Sequence, residues 1–423
     1  MSGNQTRIAE LASIISVSTA EIDNYLQTNK LPTPSFQVDA YPDLQLPPNL
    51  QKSRDDILIA TTELRELVSG PLMHLTRLTS PTVNVLVSLQ AIHRYKIASS
   101  FALDEEVSFA VVAERCNINE EDARQLIRVA VANHIFHEPR KGIVTHSAIS
   151  KLIAQNPLLN QWIGLSCEDM MPVSFRTLDA MTRWPGSQEP HETAFSIHNE
   201  GRTHWEVLQN DPIRAKRFSD GMTFMQSAPV LAVTHLFNDL RWNNENCPSL
   251  LVDLGGSHGS ICIELLRKFP KLKCVVEDLP EIIYTANVPD DLNGRLEFKS
   301  HDFFTEQPVK YANVYYIRWV LHDWSDKYAR KILQNLVPAL KNGAKVILNE
   351  VCLPEPNVLP YYHAQLISGF NLSMRQSFNS KKRDAEEWVE LLRSVDKRFK
   401  LDRIVCSPGS MLAVIKVVWT EAA

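Results

Sequence analysis

The sequence is poor in the features that build several common classes of protein. Its seven cysteines, at 116, 167, 247, 262, 274, 352 and 406, are odd in number and form no C-x-x-C pair. That argues against a zinc ribbon and a disulfide framework, and reduced thiols are expected. No run of 18 apolar residues occurs, so no ordinary membrane-spanning helix is expected. Arg7 and Glu10 interrupt the mildly apolar stretch near the N-terminus, so no secretory signal is expected and a cytoplasmic location is. Charge of one sign is not in excess: 44 Lys and Arg face 49 Asp and Glu. This balance gives no long-range attraction to nucleic-acid phosphates or to a membrane surface. Only 14 of 423 residues are glycine and none falls in a G-x-G-x-x-G pattern, which disfavours a dinucleotide ligand. Hydrophobic residues at 44% leave ample apolar material for the two or three domains that such a length suggests.

Four regions are expected. Residues 1–50 hold a short amphipathic helix over 6–29, with Ile8, Leu11, Ile14, Ile15, Ile22 and Leu26 at helical spacing, and then an extended arm with five prolines from Leu31 to Leu50. Such a helix buries its stripe against its own body or a partner subunit. Residues 51–158 read as mainly helical. Val107–Cys116, a turn at Asn117–Asn119 and Glu120–His134 form a helix–turn–helix with Asn119 as N-cap, and Ile135–His146 alternates around an Arg140-Lys141-Gly142 turn as a hairpin. This is a winged-helix pattern. Glu120, Glu121 and Asp122 open the second helix, where DNA contacts would want Arg or Lys, so a structural or dimerisation module is expected in place of DNA binding. Residues 159–248 continue as a helical connector. From residue 249 to 423, β-rich runs alternate with helices: Leu250–Leu254, Cys274–Asp278, Leu296–Asp302, Val314–Trp319, Lys345–Val351, and a closing pair near Leu401–Cys406 and Met411–Trp419. That grammar predicts a mostly parallel sheet with an antiparallel hairpin at its end.

The segment LVDLGGSHG at 251–259 runs a strand into a glycine turn and then a helix, where a ligand can approach the backbone closely. The next strand ends in Glu277-Asp278, and an acid there can accept hydrogen bonds from ribose hydroxyls. Together these point to a nucleoside-type cofactor. The turn also fits G-x-S-x-G, with Ser257 as a hydrolase nucleophile, but that elbow normally follows several strands and the preceding 248 residues are mainly helical. The third strand ends in Asp302-Phe303, suited either to a purine or to a cap and a core contact. The fourth ends in the block Arg318 to Trp324. His322 stands there where α/β folds place ligands, as a base or as a loop histidine beside a helix-capping Asp323.

The combination of VDLGGSHG, EDLP, HDFF, IRWVLHDWSD and VILNEVCLPEP resembles the plant-type and fungal S-adenosylmethionine-dependent O-methyltransferases, particularly those of secondary metabolism. The resemblance implies an α/β Rossmann-like methyltransferase domain, with a mostly parallel seven-stranded sheet and an antiparallel C-terminal hairpin, preceded by a mainly α-helical winged-helix dimerisation domain. It further implies S-adenosyl-L-methionine as cofactor, a small-molecule substrate, a homodimer formed through the N-terminal domain, and no metal. By position, Gly255 and Gly256 would line the methionine part of the cofactor, Asp278 the ribose, and Asp302 with Phe303 the adenine. Arg318 and Trp324 would flank the cofactor. His322 matches the general base, with Asp323 beside it, and Glu350 the carboxylate that orients the histidine.

The resemblance implies a phenolic or enolic hydroxyl as acceptor, an oxygen that must lose its proton to become a good nucleophile. Phe218, Met222, Met225, Phe370 and Met374 are candidates for the substrate pocket, where apolar, adaptable side chains suit a flat aromatic. The sequence departs from the family at one place: Lys382 stands at or near the position of a second glutamate beside the histidine. An alternative reading keeps the fold and uses the cofactor as a fixed positive charge for a pericyclic or dehydration reaction.

Overall fold

The structure is a computed structural model that describes residues 6–243 and 245–421. It divides into two compact units. The first comprises the chain up to Pro172 with Leu208–Met225 and Leu359–Gly369. Its helix Arg7–Thr28 buries Leu11, Ile22 and Leu26, three members of the expected stripe, against the helix Pro48–Thr79, and Arg7 pairs with Glu63 at 2.6 Å. The proline-rich arm between these helices is extended, as its composition predicts, but it is also fastened. Phe36 stacks on His134 with ring centroids 4.2 Å apart, its carbonyl accepts from the Ala148 amide at 3.1 Å, and Lys151 donates to the Val38 carbonyl at 3.0 Å. Extended backbone cannot satisfy its own polar groups, so neighbouring elements do.

The helices Phe109–Cys116 and Glu120–Ala132 flank a left-handed Asn117, and Asn119 caps the second by accepting from the Glu121 and Asp122 amides. Strands β1 (Val107–Ser108), β2 (Phe136–Arg140) and β3 (Ile143–His146) form a small antiparallel sheet with β3 in the centre. Fully buried Val112, Ile127, Phe136 and Val144 fill the core between sheet and helices. The long helix Pro48–Thr79 breaks at Gly70, whose φ of 67° precedes Pro71. Beyond the break Leu72 is 81% exposed, and Met73, Leu75 and Leu78 are exposed as well.

The second unit comprises Val173–Val207, Gln226–Val358 and the chain from Phe370 onward. Its strands are β4 (Leu250–Leu254), β5 (Lys273–Asp278), β6 (Leu296–Ser300), β7 (Val314–Arg318), β8 (Lys345–Glu350), β9 (Cys352–Leu353), β10 (Arg383–Asp384), β11 (Phe399–Val405) and β12 (Ala413–Trp419). Seven of them form one sheet in the order β11-β12-β8-β7-β4-β5-β6. The pairs from β8 to β6 are parallel, and β12 is antiparallel to both β8 and β11. The expected mostly parallel sheet with a closing hairpin is therefore present. The hairpin strands sit about two residues from their expected bounds. Phe399 joins early because it packs on Trp419, and Met411 leaves the strand because its amide donates to the Val230 carbonyl.

Alternate residues serve opposite faces. Val252, Leu254, Tyr315, Ile317, Val346 and Leu348 lie in one core, whereas Leu251, Tyr316 and Ile347 join Cys262, Leu265 and Leu266 of the helix Ser260–Lys268 in another. Burial on both faces explains why these strands read as continuous apolar runs. Since β5 and β7 lie on either side of β4, the connections reverse direction there, and the carboxyl ends of β4 and β7 border the crevice where such sheets take ligands.

The short parallel pair β9–β10 feeds the helix Ala385–Val395 through a capping box. Asp384 accepts from the Glu387 amide at 2.8 Å, and Glu387 accepts from the Asp384 amide at 3.1 Å. Asp384→Ala is expected to lower the urea midpoint by an amount equivalent to about 1 kcal/mol; an unchanged midpoint would show that the cap contributes nothing.

Candidate active site

The glycine turn after β4 is held to the next strand. The Gly255 and Gly256 amides both donate to the Glu277 carbonyl, at 2.8 and 3.1 Å. Gly255 has φ of 72°, and a side chain there would come within 2.9 Å of Val320. At Gly256 a Cβ would lie 2.6 Å from Asp253 Oδ2. Only glycine fits this path, which runs tight between β4 and the loop after β7. Asp278 closes the turn from the end of β5 by accepting from the Ser257 and Leu279 amides, each at 2.8 Å. Burial raises its carboxyl above the ordinary aspartate value, against the pull of those two amides.

Asp302 is exposed and accepts from the Phe304 amide at 2.9 Å, holding the turn after β6. Phe303 and Phe304 meet Trp324 edge to face, at 6.0 and 4.6 Å, so these residues, drawn from two strand ends, form one aromatic cluster. Arg318 donates to Asn349 Oδ1 at 2.5 Å and to the Leu231 carbonyl at 3.2 Å.

The loop after β7 carries His322 against Glu350 at the end of β8. Glu350 is fully buried and its carboxylate meets three donors. Oε1 accepts from the Val320 and Leu321 amides, both at 3.0 Å, and Oε2 meets His322 Nδ1 at 2.6 Å. The loop reaches this position through Trp319, which has φ of 53°, a rare conformation for a bulky residue and one that recurs at functional sites. The Trp319 indole stands edge-on to the imidazole at 6.1 Å. His322 Nε2 lies 3.3 Å from Asp323 Oδ1, and only 11% of the histidine side chain is exposed. Asp323 does not cap the following helix; that place belongs to Ser325, whose hydroxyl donates to the Gln188 carbonyl.

Electrostatics follow from this crowding. Burial pulls the His322 pKa down, but Glu350 and Asp323 outweigh it together and the net direction is up from 6.5. Asp323 is pushed up to about 6, chiefly by burial and also by Glu350. Burial also acts to raise Glu350, yet the imidazole beside it carries it below the ordinary glutamate value.

A second fastening comes from residues that sequence reading did not single out. Ser380 Oγ lies 2.5 Å from the His322 carbonyl and 2.8 Å from that of Trp324. Arg383, fully buried, donates to the Leu321 and Trp324 carbonyls at 2.9 and 3.0 Å and to Asp326. They carry no sequence signal: the stretch Asn379–Asp384 has no periodicity, and their partners are main-chain carbonyls. Between them Lys382 is 8% exposed. Its amide donates to Asn371 at 2.7 Å, and its charge acts on His322, Asp323 and Glu350.

The remaining candidates are partly buried on helices. Phe218, Met222 and Met225 lie on Pro212–Gln226, in the first unit up to Met225, while Phe370 and Met374 lie on Tyr361–Phe378, in the second. Among the described residues no three His, Cys, Asp or Glu side chains come together as metal ligands, and no helix is long and apolar enough to cross a membrane.

A sequence model of the O-methyltransferase domain matches residues 175–396. O-methyltransferase kk1A of Curvularia clavata is 48% identical over 419 residues, 99% of both chains. The grayanic acid biosynthesis cluster O-methyltransferase of Cladonia grayi is 35% identical over 420 residues, 98% of this chain and 88% of that one. Among solved structures, OxaC superposes with a TM-score of 0.74 at 18% identity, covering 97% of this chain and 100% of its own. A pericyclic-reaction enzyme does so with 0.70 at 22%, again covering 97% and 100%.

The tightness of the glycine turn is testable. Gly256→Ala is expected to destabilise the protein by about 1–3 kcal/mol, because Asp253 beneath it has no room to move. Gly369→Ala, where a Cβ would meet nothing within 4 Å, is the control and should be neutral or stabilising by up to about 1 kcal/mol. Equal melting temperatures for the two variants would remove the steric argument.

Proposed function

We propose, since this chain belongs to the O-methyltransferase family, that it methylates a hydroxyl of a phenolic or enolic small molecule of secondary metabolism. S-adenosylmethionine is the donor and His322 the general base. When bound, the donor supplies an electrophilic methyl on a good leaving group. The residues present fit such a ligand. Gly255 and Gly256 leave backbone that a Cβ would obstruct. Asp278 spends one bond per oxygen on amides and keeps acceptor capacity for ribose hydroxyls. Phe303 and Trp324, with Asp302 nearby, offer aromatic surface to a purine. Arg318 acts from the edge of the same crevice.

The observation that carries the reading is the 2.6 Å contact of Glu350 with His322 Nδ1. A carboxylate there takes the Nδ1–H and leaves the Nε2 lone pair to accept the hydroxyl proton, and it stabilises the imidazolium as that forms. Asp323, on the Nε2 side at 3.3 Å, receives the same proton's charge. What remains for the protein is to hold the acceptor oxygen in line and exclude water. Phe370 and Met374, in the same unit as His322, are assigned to the acceptor's pocket.

The assembly follows the same reading. Residues 1–50 form the N-terminal arm, 51–158 a winged-helix dimerisation domain, 159–248 a connector and 249–423 the methyltransferase domain. The exposed face of Leu72, Met73, Leu75 and Leu78 is the surface that a second copy covers, since monomers rarely leave so much apolar area to water. Free cysteines at all seven positions suit the cytoplasm.

Two experiments test the chemistry. Incubation with methyl-labelled donor and a panel of phenols should yield labelled ether. A converted but unlabelled product would turn the reading to the alternative, in which the donor serves only as a fixed charge. His322→Ala should lower kcat by about 10²–10⁴-fold while leaving S-adenosylhomocysteine affinity in place. The base works only when neutral, so kcat/KM falls as pH drops through the His322 pKa, raised above 6.5. Glu350→Gln removes a raising charge, and the acid limb should move to lower pH. A limb that stays put or moves upward contradicts the pairing.

A further inference from the structure

The buried cluster contains one cation whose purpose general-base chemistry does not supply. Lys382 is 8% exposed, and no hydrogen bond to its ammonium occurs among the described residues, although its backbone amide is engaged. Its neighbours in chain are both committed elsewhere: Lys381 bridges Glu387 and Asp326, and Arg383 is held by Asp326 and two carbonyls. Lys382 is thus the cation of this segment left with three free donors. Its place is fixed by the segment's attachment to the loop of His322: Ser380 and Arg383 bind the carbonyls at 321, 322 and 324, and β10 pairs with β9, two residues past Glu350.

The charges that act on Lys382 are those of Glu350 at the end of β8 and Asp323 on the loop after β7, and its own charge acts on His322. Burial lowers its pKa, and the two carboxylates work against that lowering. Neither carboxylate forms a direct ion pair with it in the structure. Glu350 accepts instead from two amides and the imidazole. An ammonium on a side chain largely withdrawn from water, with no bonded anion, keeps its donors for an incoming oxyanion.

We propose that Lys382 is the counter-ion of the acceptor: the site takes its substrate as an oxyanion and selects hydroxyls acidic enough to ionise near neutral pH. Phenols with electron-withdrawing ring substituents and enols conjugated to a carbonyl are the classes that meet this demand. The proposal rests on the reading of the site as a methyl-acceptor site, and it narrows that reading. The proton balance is simple. An acceptor that arrives neutral gives its hydroxyl proton to Nε2 of His322, and one that arrives ionised has left that proton in solution. In both cases the oxygen keeps its electron pair and faces the ammonium.

The test uses the full-length protein saturated with S-adenosylhomocysteine and 4-nitrophenol as probe, whose visible absorbance reports ionisation. Wild type should lower the apparent pKa of the bound probe by about one unit, a roughly tenfold preference for the anion. Lys382→Arg should keep most of that preference, and Lys382→Met should lose it with S-adenosylhomocysteine affinity unchanged. The proposal is overturned if the wild type binds the probe without preferring its anion, if Lys382→Met retains the preference, or if protein that binds S-adenosylhomocysteine takes up no probe. Wild type that fails to bind S-adenosylhomocysteine overturns the methyltransferase reading itself, by a measurement separate from the probe.

Discussion

The buried carboxylate of Glu350 is the constraint on which the rest of the site depends. A carboxylate removed from water costs several kcal/mol unless donors replace its hydration. Here three do, two of them backbone amides of the loop at Val320 and Leu321 and the third the imidazole of His322. The position of the loop is therefore set by the need to satisfy this one charge. The same loop holds Trp319 at a positive φ, a strain of order 1–3 kcal/mol that the bonds to Glu350 offset. The orientation of the histidine and the path of the chain past the glycine turn are consequences of a single buried acid.

The loop is held from the opposite side by its carbonyls. Its amides go to Glu350, and the oxygens of Leu321, His322 and Trp324 go to Arg383 and Ser380. Donors and acceptors of one short segment are thus consumed by two different elements, the end of β8 and the strand β10. A segment bound along both edges has little freedom to slide, and such preorganisation is what an in-line displacement needs, since small misplacements of the acceptor cost rate steeply. The guanidinium of Arg383 also lies over the ring of Trp388 at 5.1 Å, which ties the fastening to the core of the second unit.

Much of this was legible in the sequence, for identifiable reasons. The strands of the parallel sheet are buried on both faces, so they stand out as apolar runs; Leu250–Leu254 has the bounds its residues predict. Asn119 announced itself as a cap because the residues after it are acidic and the turn before it is polar. His322 stood out as a histidine past a strand end, yet its partner at Glu350, 28 residues away, emerged only through resemblance, because nothing local links a loop to the far end of the next strand. Ser380 and Arg383 were not legible at all. Their partners are main-chain carbonyls, which every residue possesses, so no side-chain pattern can reveal them. Lys382 was visible as a departure from family habit, but its burial follows from the two residues that flank it. The fastening of the proline-rich arm at Phe36 and Val38 was likewise hidden, being again a matter of backbone acceptors.

One proton ties these elements to function. With Nδ1–H given to Glu350, the imidazole presents a lone pair at Nε2, and Asp323 presents another acceptor 3.3 Å away. Two acceptors that close repel unless a proton lies between them. The imidazole can carry it, and so can the Asp323 carboxyl, which burial pushes up to about 6. In the proposed reaction, a hydroxyl brought to the site would supply a third source, its proton going to Nε2 while its oxygen turns to Lys382. The upward shifts at His322 and Asp323 and the unpaired ammonium of Lys382 are then aspects of one arrangement, a place short of a proton beside a place short of an anion. The proposed acceptor, a hydroxyl that dissociates between them, would fill both.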